Sequence, residues 1–314
     1  MGALSRRVFG ISIEETRFER RGFRGGDPRA RRRLETIGAA FLSGYHAALA
    51  DHRIARLAAS LESVDVELRG FAYEGAAMGL SLLDTLTPWR RDRWATFLAG
   101  PGERHAYMVH VGAGWARARL GGDPDRFLER HDPLLGWLVL DGWGFHDGYF
   151  DWPRTIGERR APPRLIGYAR RAYDQGLGRA AWFVDGAEVE RVAATLASFE
   201  ASRREDLWSG VGLAAAYAGG AEESALQDLR ERAGEHGAAL AQGAAFAAQA
   251  RRRAGNPAPH TDLACRILCG MGADQAAETT TEALRGLPAG GPRPAYETWR
   301  RRIQERFARE WVAA

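Results

Sequence analysis

Apolar residues recur at three- and four-residue spacing along most of the chain, the period of a helix buried on one face. Val189, Val192, Ala193, Leu196 and Phe199 form one such stripe, and Leu226, Leu229, Ala233 and Leu240 form the next. Alternating runs of β-branched residues are missing, so strands have little support. Asp27-Pro28, Thr87-Pro88, Asp123-Pro124 and Asp132-Pro133 each put a capping residue before a proline at the first helical position. The last segment sets Tyr296, Trp299, Ile303, Phe307 and Trp311 on one stripe, with Arg300, Arg301, Glu305 and Arg309 on the opposite face. The pattern predicts an all-α protein.

A short phrase repeats within these helices: a polar residue, glycine, any residue, then glycine or alanine. Its first glycines are Gly44, Gly75, Gly112, Gly142, Gly176, Gly210, Gly243 and Gly270, spaced 27 to 37 residues apart and centred near 34. That period suits two helices and their turns. Glycine inside a helix costs about 1 kcal/mol relative to alanine, so its recurrence implies close helix approach at one place in each unit. The expected architecture is a helical-repeat α-solenoid with a period near 34 residues. An N-terminal arm (1–26) precedes the repeat domain (27–294), and a C-terminal capping helix (295–314) closes it. The stretch from Pro153 to Pro163 departs most from the period. The two GxGxxA matches, starting at Gly176 and Gly210, lie inside helix-like sequence and belong to the repeat, whereas a dinucleotide loop must follow a strand.

Composition narrows the chemistry. All 44 basic side chains are arginine. Without lysine there is no Schiff-base site, no Walker A loop and no kinase phosphate-binding lysine. The arginines are balanced by 40 acidic residues. The runs Arg31 to Arg33, Arg251 to Arg253 and Arg300 to Arg302 are scattered, which suits solvated helix faces and not a nucleic-acid surface. Cys265 and Cys269 share a helix face and read as buried free thiols. His260-Thr261-Asp262 reads as the cap of their helix. Met1 to Ile13 has no signal-peptide core and no apolar run spans a membrane, so the cytoplasm is the expected compartment. GxSxG, HExxH and CxxC motifs are absent, and no motif calls for a cofactor.

Equivalent positions of a repeat share a direction. The residue before each first glycine (Ser43, Glu74, Val111, Asp141, Gln175, Ser209, Gln242) therefore forms a ladder. Its polar members either hydrogen-bond between neighbouring helices or line a groove. The densest constellation runs from Asp141 to Phe150 and combines carboxylates, an imidazole, a phenol and aromatic rings. Histidine suits proton transfer near neutral pH. Glu74, His105 and His110 are further candidates, and whether a metal sits among Glu, His and Asp side chains stays open.

Arg17-Phe18-Glu19-Arg20-Arg21-Gly22-Phe23, the Asp141 to Phe150 block, Tyr173 to Arg179 with Trp182-Phe183, and Trp208 to Gly212 resemble the UnbL-type domain-of-unknown-function 1702 family of enediyne biosynthetic gene clusters, over nearly the whole chain. The resemblance implies making or handling the enediyne core or its polyene precursor, and it assigns no residue a role. Taken with the constellation, it leads to an expected biosynthetic protein that holds an apolar polyene or enediyne intermediate in an aromatic-lined groove. Asp141, His146, Asp147 and Tyr149, supported by Glu74 and His110, are the expected acid/base or ligand residues. Trp143, Phe145, Trp182, Trp208 and Gln175 are the expected substrate contacts. The alternative is a non-catalytic scaffold or carrier for other proteins of the cluster or for a reactive intermediate.

Overall fold

A computed structural model describes residues 8–87, 89, 92–129, 131–288 and 292–312, with side chains omitted at 126 and 310–312. Pro88 of the expected Thr87-Pro88 start, residues 1–7 of the arm and the Trp311 side chain thus lie outside the described residues. Every regular element among the described residues is helical. Seven long helices carry the architecture: α1 (Pro28–Ala50), α2 (Arg69–Leu86), α3 (Ala106–Leu120), α4 (Trp137–Phe150), α5 (Gly167–Val184), α6 (Ala201–Tyr217) and α7 (Gly237–Ala254). Each packs on the next to form one layer. Shorter helices Ile54–Glu62, Val189–Ala197 and Glu223–Ala233 connect successive members, and Pro259–Leu268 follows the last; the latter three pack one on the next as a second layer. Asp27 caps α1 by accepting from the Arg29 and Ala30 amides, with Pro28 at the first position.

The paired glycines explain how the long helices meet. Two residues apart on a helix is about 200° around its axis, so the glycines of a GxG phrase face opposite neighbours. In the GxG phrases of α3 to α6 the first glycine faces the preceding long helix and the second the following one. Gly112 abuts the Glu74 carbonyl of α2, and Gly114 the Val139 carbonyl of α4. Gly142 abuts Val111, Gly144 abuts Tyr173, Gly176 abuts Asp141 and Gly178 abuts Leu207. Gly210 meets Gln175, Gly212 meets Leu240 and Gly243 meets Ser209. A β-carbon at any of them would overlap a backbone oxygen. The eighth phrase departs from this. Gly270 sits in a left-handed turn (φ +70°) with open space beside it, ending Pro259–Leu268, and makes no helix crossing.

The same arithmetic fixes the other directions. From α2 to α7 the residue before the first glycine points to one side of the layer, and the residue after that glycine points to the other; Ser43 of the expected ladder is exposed, because Gly44 faces the following helix. Thus Ala244, between Gly243 and Ala245, offers its carbonyl to the Cys265 thiol on the short-helix side. The other side is interior. There α2 comes round to meet α6, with Phe71 and Tyr217 rings 5.0 Å apart.

The C-terminal helix α8 (Ala295–Val312) enters this interior and does not merely cover the last unit. Tyr296, Trp299, Ile303 and Phe307 are fully buried, each contributing about 1.5–3 kcal/mol of hydrophobic stabilisation. Trp299 donates to the Thr280 carbonyl at 2.8 Å. Arg300, expected on a solvent face, is 2 % exposed. It donates to Asp206 of α6 at 2.8 Å and to Gln242 of α7 at 3.1 Å. The other arginine runs are corrected similarly. Arg251 is buried and donates to the Tyr217 carbonyl at 2.7 Å, and Arg33 donates to the Ala218 carbonyl. Both close the C-terminal end of α6, where carbonyls lack helical partners. The expected cap at His260-Thr261-Asp262 is also different. The helix begins at Pro259, Thr261 donates to the Ala216 carbonyl, and Asp262 accepts from the Ala273 amide of the next helix.

The arm lies along α1, α4 and α5. Tyr45 donates to the Phe9 carbonyl at 2.8 Å, Trp152 to the Arg21 carbonyl at 2.9 Å, and the Arg24 amide to the Val184 carbonyl at 2.6 Å. Gly25 and Gly26, at φ +64° and +74°, pass against the Asp185 and Gly186 carbonyls respectively, where side chains would not fit.

Gly176→Ala tests the crossings. Helix propensity alone favours alanine by about 1 kcal/mol, whereas overlap with the Asp141 carbonyl is expected to lower stability by about 3 kcal/mol. Chemical denaturation measures the difference, and an unchanged or raised midpoint would contradict backbone contact at this site.

Candidate functional site

Interior stripes of α1 to α5 converge on one small cavity of about 30 Å³, room for one or two water molecules. On α4 the stripe is Asp141, Phe145 and Tyr149, four residues apart and so on one face. On α5 it is Gln175, Arg179 and Phe183. Phe71 and Glu74 come from α2, Trp115 from α3, and Ile37, Phe41 and Leu42 from α1. Ile11, Glu15 and Thr16 of the arm complete the wall. The lining is aromatic and aliphatic with one deeply buried carboxylate, Glu74, 1 % exposed.

Glu74 Oε1 accepts from the Trp115 indole N–H at 2.9 Å, while Oε2 has no hydrogen-bond partner. Burial pushes its pKa up to about 7; the Arg179 charge and the Trp115 hydrogen bond oppose that rise, and the Asp141 charge adds to it. Behind the cavity Arg179 forms a buried ion pair with Asp141. The second Asp141 oxygen accepts from Gln175 Nε2 at 2.8 Å, and that amide also donates to Tyr296 of α8 at 3.2 Å. The Arg179 guanidinium lies 4.6 Å from the Phe145 ring centre. Tyr149 donates to the Glu15 carbonyl at 3.1 Å, and burial holds its phenol well above the usual range.

The structure thus brings together Glu74, Asp141, Phe145 and Tyr149 of the expected residues and places the rest elsewhere. His146 and Asp147, on another face of α4, are outside the lining. Their Nδ1 and Oδ1 atoms are 3.0 Å apart, and Asp147 also accepts from the Tyr173 hydroxyl at 3.2 Å. Burial lowers the His146 pKa, and Asp147 opposes this. His110 bonds the Ala106 carbonyl through Nδ1 at 2.7 Å and sits beside Trp94, away from the cavity. His105 is likewise apart, stacked 4.0 Å from the Tyr73 ring. Trp143 occupies the position between two crossing glycines and therefore faces away from Asp141, with Arg164 over its ring. Trp182 is core, donating to the Gly219 carbonyl at 2.9 Å, and Trp208 is buried without lining the cavity. Gln175 orients Asp141 and is not itself in the wall. Among the described residues no group of three or more His, Cys, Asp or Glu is placed to hold a metal ion.

Trp115, Arg179, Phe41 and Phe183 were not singled out by sequence reasoning. A signal existed for two of them. Trp115 follows ladder residue Val111 by four positions, and Arg179 follows Gln175 by four, so each shares its ladder residue's helix face. Chemically, a carboxyl group titrating near neutrality can give or take a proton inside a water-poor aromatic chamber.

No curated protein and no solved structure shows significant similarity to this chain. Residues 1–307 match the profile of a family described as a protein of unknown function, DUF1702. The chain therefore belongs to the DUF1702 family.

Proposed function

We propose that this protein binds an apolar, unsaturated small molecule in the interior cavity and exchanges a proton with it through Glu74. One observation carries the reading: a buried carboxylate oxygen without a partner belongs to a side chain lining a small cavity walled by aromatic rings. The resemblance to UnbL-type proteins supplies the substrate class, a polyene or enediyne-core intermediate handled in the cytoplasm beside other proteins of the cluster. The inward-facing aromatic wall favours this over a scaffold, whose working surface would be external. We read the architecture as an α-solenoid with a period near 34. Supporting this are the alternation of long and short helices and the glycine pair repeated from α3 to α6, while the junction of α4 and α5 lacks an intervening α-helix.

Two outcomes follow. The Glu74 pKa is raised from 4.5 to about 7 on folding. Between those values the folded state holds more protons than the unfolded state, so stability falls as pH rises through the window. Above it, the ionised buried carboxylate costs about 3 kcal/mol. Glu74→Gln removes this term. The difference in melting temperature, variant minus wild type, is expected to grow from pH 5 to pH 8. A difference independent of pH would show that Glu74 titrates normally.

The second outcome concerns activity. In a producing strain lacking the gene, wild type is expected to restore polyene and enediyne products, read by mass spectrometry. Folded Glu74→Gln is expected not to, while His146→Ala restores them. The reverse result would move the proton-transfer role to the His146–Asp147 pair.

A further inference from the structure

The positive charge of the chain is unevenly spread. Residues 154–171 hold six arginines and one glutamate, an excess larger than the net +4 of the whole chain. The segment joins α4 to α5, the one junction between consecutive long helices where the described residues form no α-helix. It crosses the side of the layer opposite Glu74, where the Arg164 guanidinium lies 4.6 Å from the Trp143 ring centre. Arg171 turns inward and is occupied by Asp206 and Glu297. Arg154, Arg159, Arg160 and Arg164 are exposed. Arg154 and Arg160 pair with Asp151 and Glu158 at the surface, where such contacts hold a charge only weakly. Among the described residues no carboxylate forms an ion pair with Arg159 or Arg164.

The backbone of this strap is fixed. Thr155, Ile156 and Leu165 are buried and anchor it. Arg203 of α6 donates to the Arg159 carbonyl at 2.7 Å while its other nitrogens bind Asp174. Arg159 stands at φ +58°, a left-handed conformation uncommon for any residue but glycine. Ile166, just before α5, is 77 % exposed, and Pro163 is exposed near it. The strap therefore shows an aliphatic anchor beside guanidinium groups on a rigid backbone. Arginines near an apolar contact typify protein interfaces, and rigid display lowers the ordering cost of binding. Single-stranded nucleic acid needs open aromatic rings to stack on, whereas Trp143 is buried beneath Arg164. A bilayer rewards several exposed apolar side chains, and Ile166 is the segment's one exposed large hydrophobic.

We propose that the strap from Arg154 to Ile166 docks an acidic amphipathic helix of a partner protein. The partner's carboxylates face Arg159, Arg160 and Arg164, whose planar guanidinium groups bind carboxylates through two parallel hydrogen bonds. An apolar side chain of the same helix covers Ile166. The docked helix lies over the junction that lacks a short helix of its own, whereas the other junctions between long helices each carry one. This surface faces away from Glu74 and does not depend on the ligand-binding reading.

The test uses the full-length protein and a fluorescein-labelled helical peptide of about 18 residues, built of glutamate, leucine and alanine with leucine at every third or fourth position. A counterpart carries glutamine for glutamate. By fluorescence anisotropy the acidic peptide is expected to bind at least about tenfold more tightly than the glutamine peptide, and to weaken as salt is raised. Arg159→Glu with Arg160→Glu is expected to weaken it at least about tenfold, and Ile166→Ser about fivefold. Arg29→Glu with Arg56→Glu, also at exposed positions, is expected to change it less than about twofold. Ile166 is exposed, so its variant keeps the test decisive should the arginine variant fold poorly. No binding of the acidic peptide, equal binding of both peptides, or strap variants no weaker than the control pair would overturn the proposal. Tighter binding of a DNA duplex or of phosphatidylglycerol vesicles through the same residues would also overturn it, as would a dimer of this protein that Ile166→Ser abolishes.

Discussion

Backbone contact between successive long helices governs this molecule. Where Gly144 and Gly176 pass each other, nothing stands between α4 and α5 except main-chain atoms. Such approaches gain dispersion and weak Cα–H···O contacts along both backbones, and these offset the intrinsic cost of glycine in a helix. They also set the register. Each crossing fixes which residues of two helices lie level, and the two-residue step of GxG carries that register to the next helix. The polar ladder is a consequence. Asp141 and Gln175 meet because each lies immediately before its crossing glycine, and Ser209 donates to Gln242 at 2.9 Å for the same reason.

That closeness leaves little interior volume, and the protein fills it with two kinds of group. Aromatic rings take the space near the arm and form the cavity wall. Arginine–carboxylate pairs take the space near α8, where Asp206 binds both Arg171 and Arg300, and Arg171 also binds Glu297. A planar guanidinium can satisfy several acceptors in fixed directions, which a lysine ammonium cannot. Buried pairs of this kind contribute little net stability once desolvation is counted, but losing one partner is costly. Their effect here is positional, holding α8 in one orientation against α5, α6 and α7.

Glu74 is the exception in this interior. Its carboxyl group belongs to the ladder, yet it has no guanidinium of its own, and only the Trp115 indole answers it. The same burial that raises its pKa removes competing water, so one geometric fact yields both a raised carboxyl pKa and an apolar lining. The arm closes that chamber from one side through Ile11, Glu15 and Thr16, and Tyr149 ties the arm to α4.

The sequence by itself determined the helical class, and it marked the glycines where helices cross and a ladder of mostly polar residues sharing a direction, because helical geometry converts a repeated GxG and its preceding residue into fixed directions. It also marked Glu74, Asp141, Phe145 and Tyr149. It did not separate His146, Asp147 and Trp143 from them, although one turn of arithmetic on α4 divides these residues among different faces. Only the tertiary structure decided the rest. Arg179 reaches Asp141 across 38 positions of chain, and Arg300 is buried against Asp206 across 94. The first pair follows from the single α4–α5 crossing, once Arg179 is placed four residues beyond Gln175; the second depends on where α8 enters the interior, which no local spacing encodes. The Gly270 phrase shows the converse limit, since a glycine that ends a helix and one that admits a neighbour are spelled alike and differ only in what stands beside them.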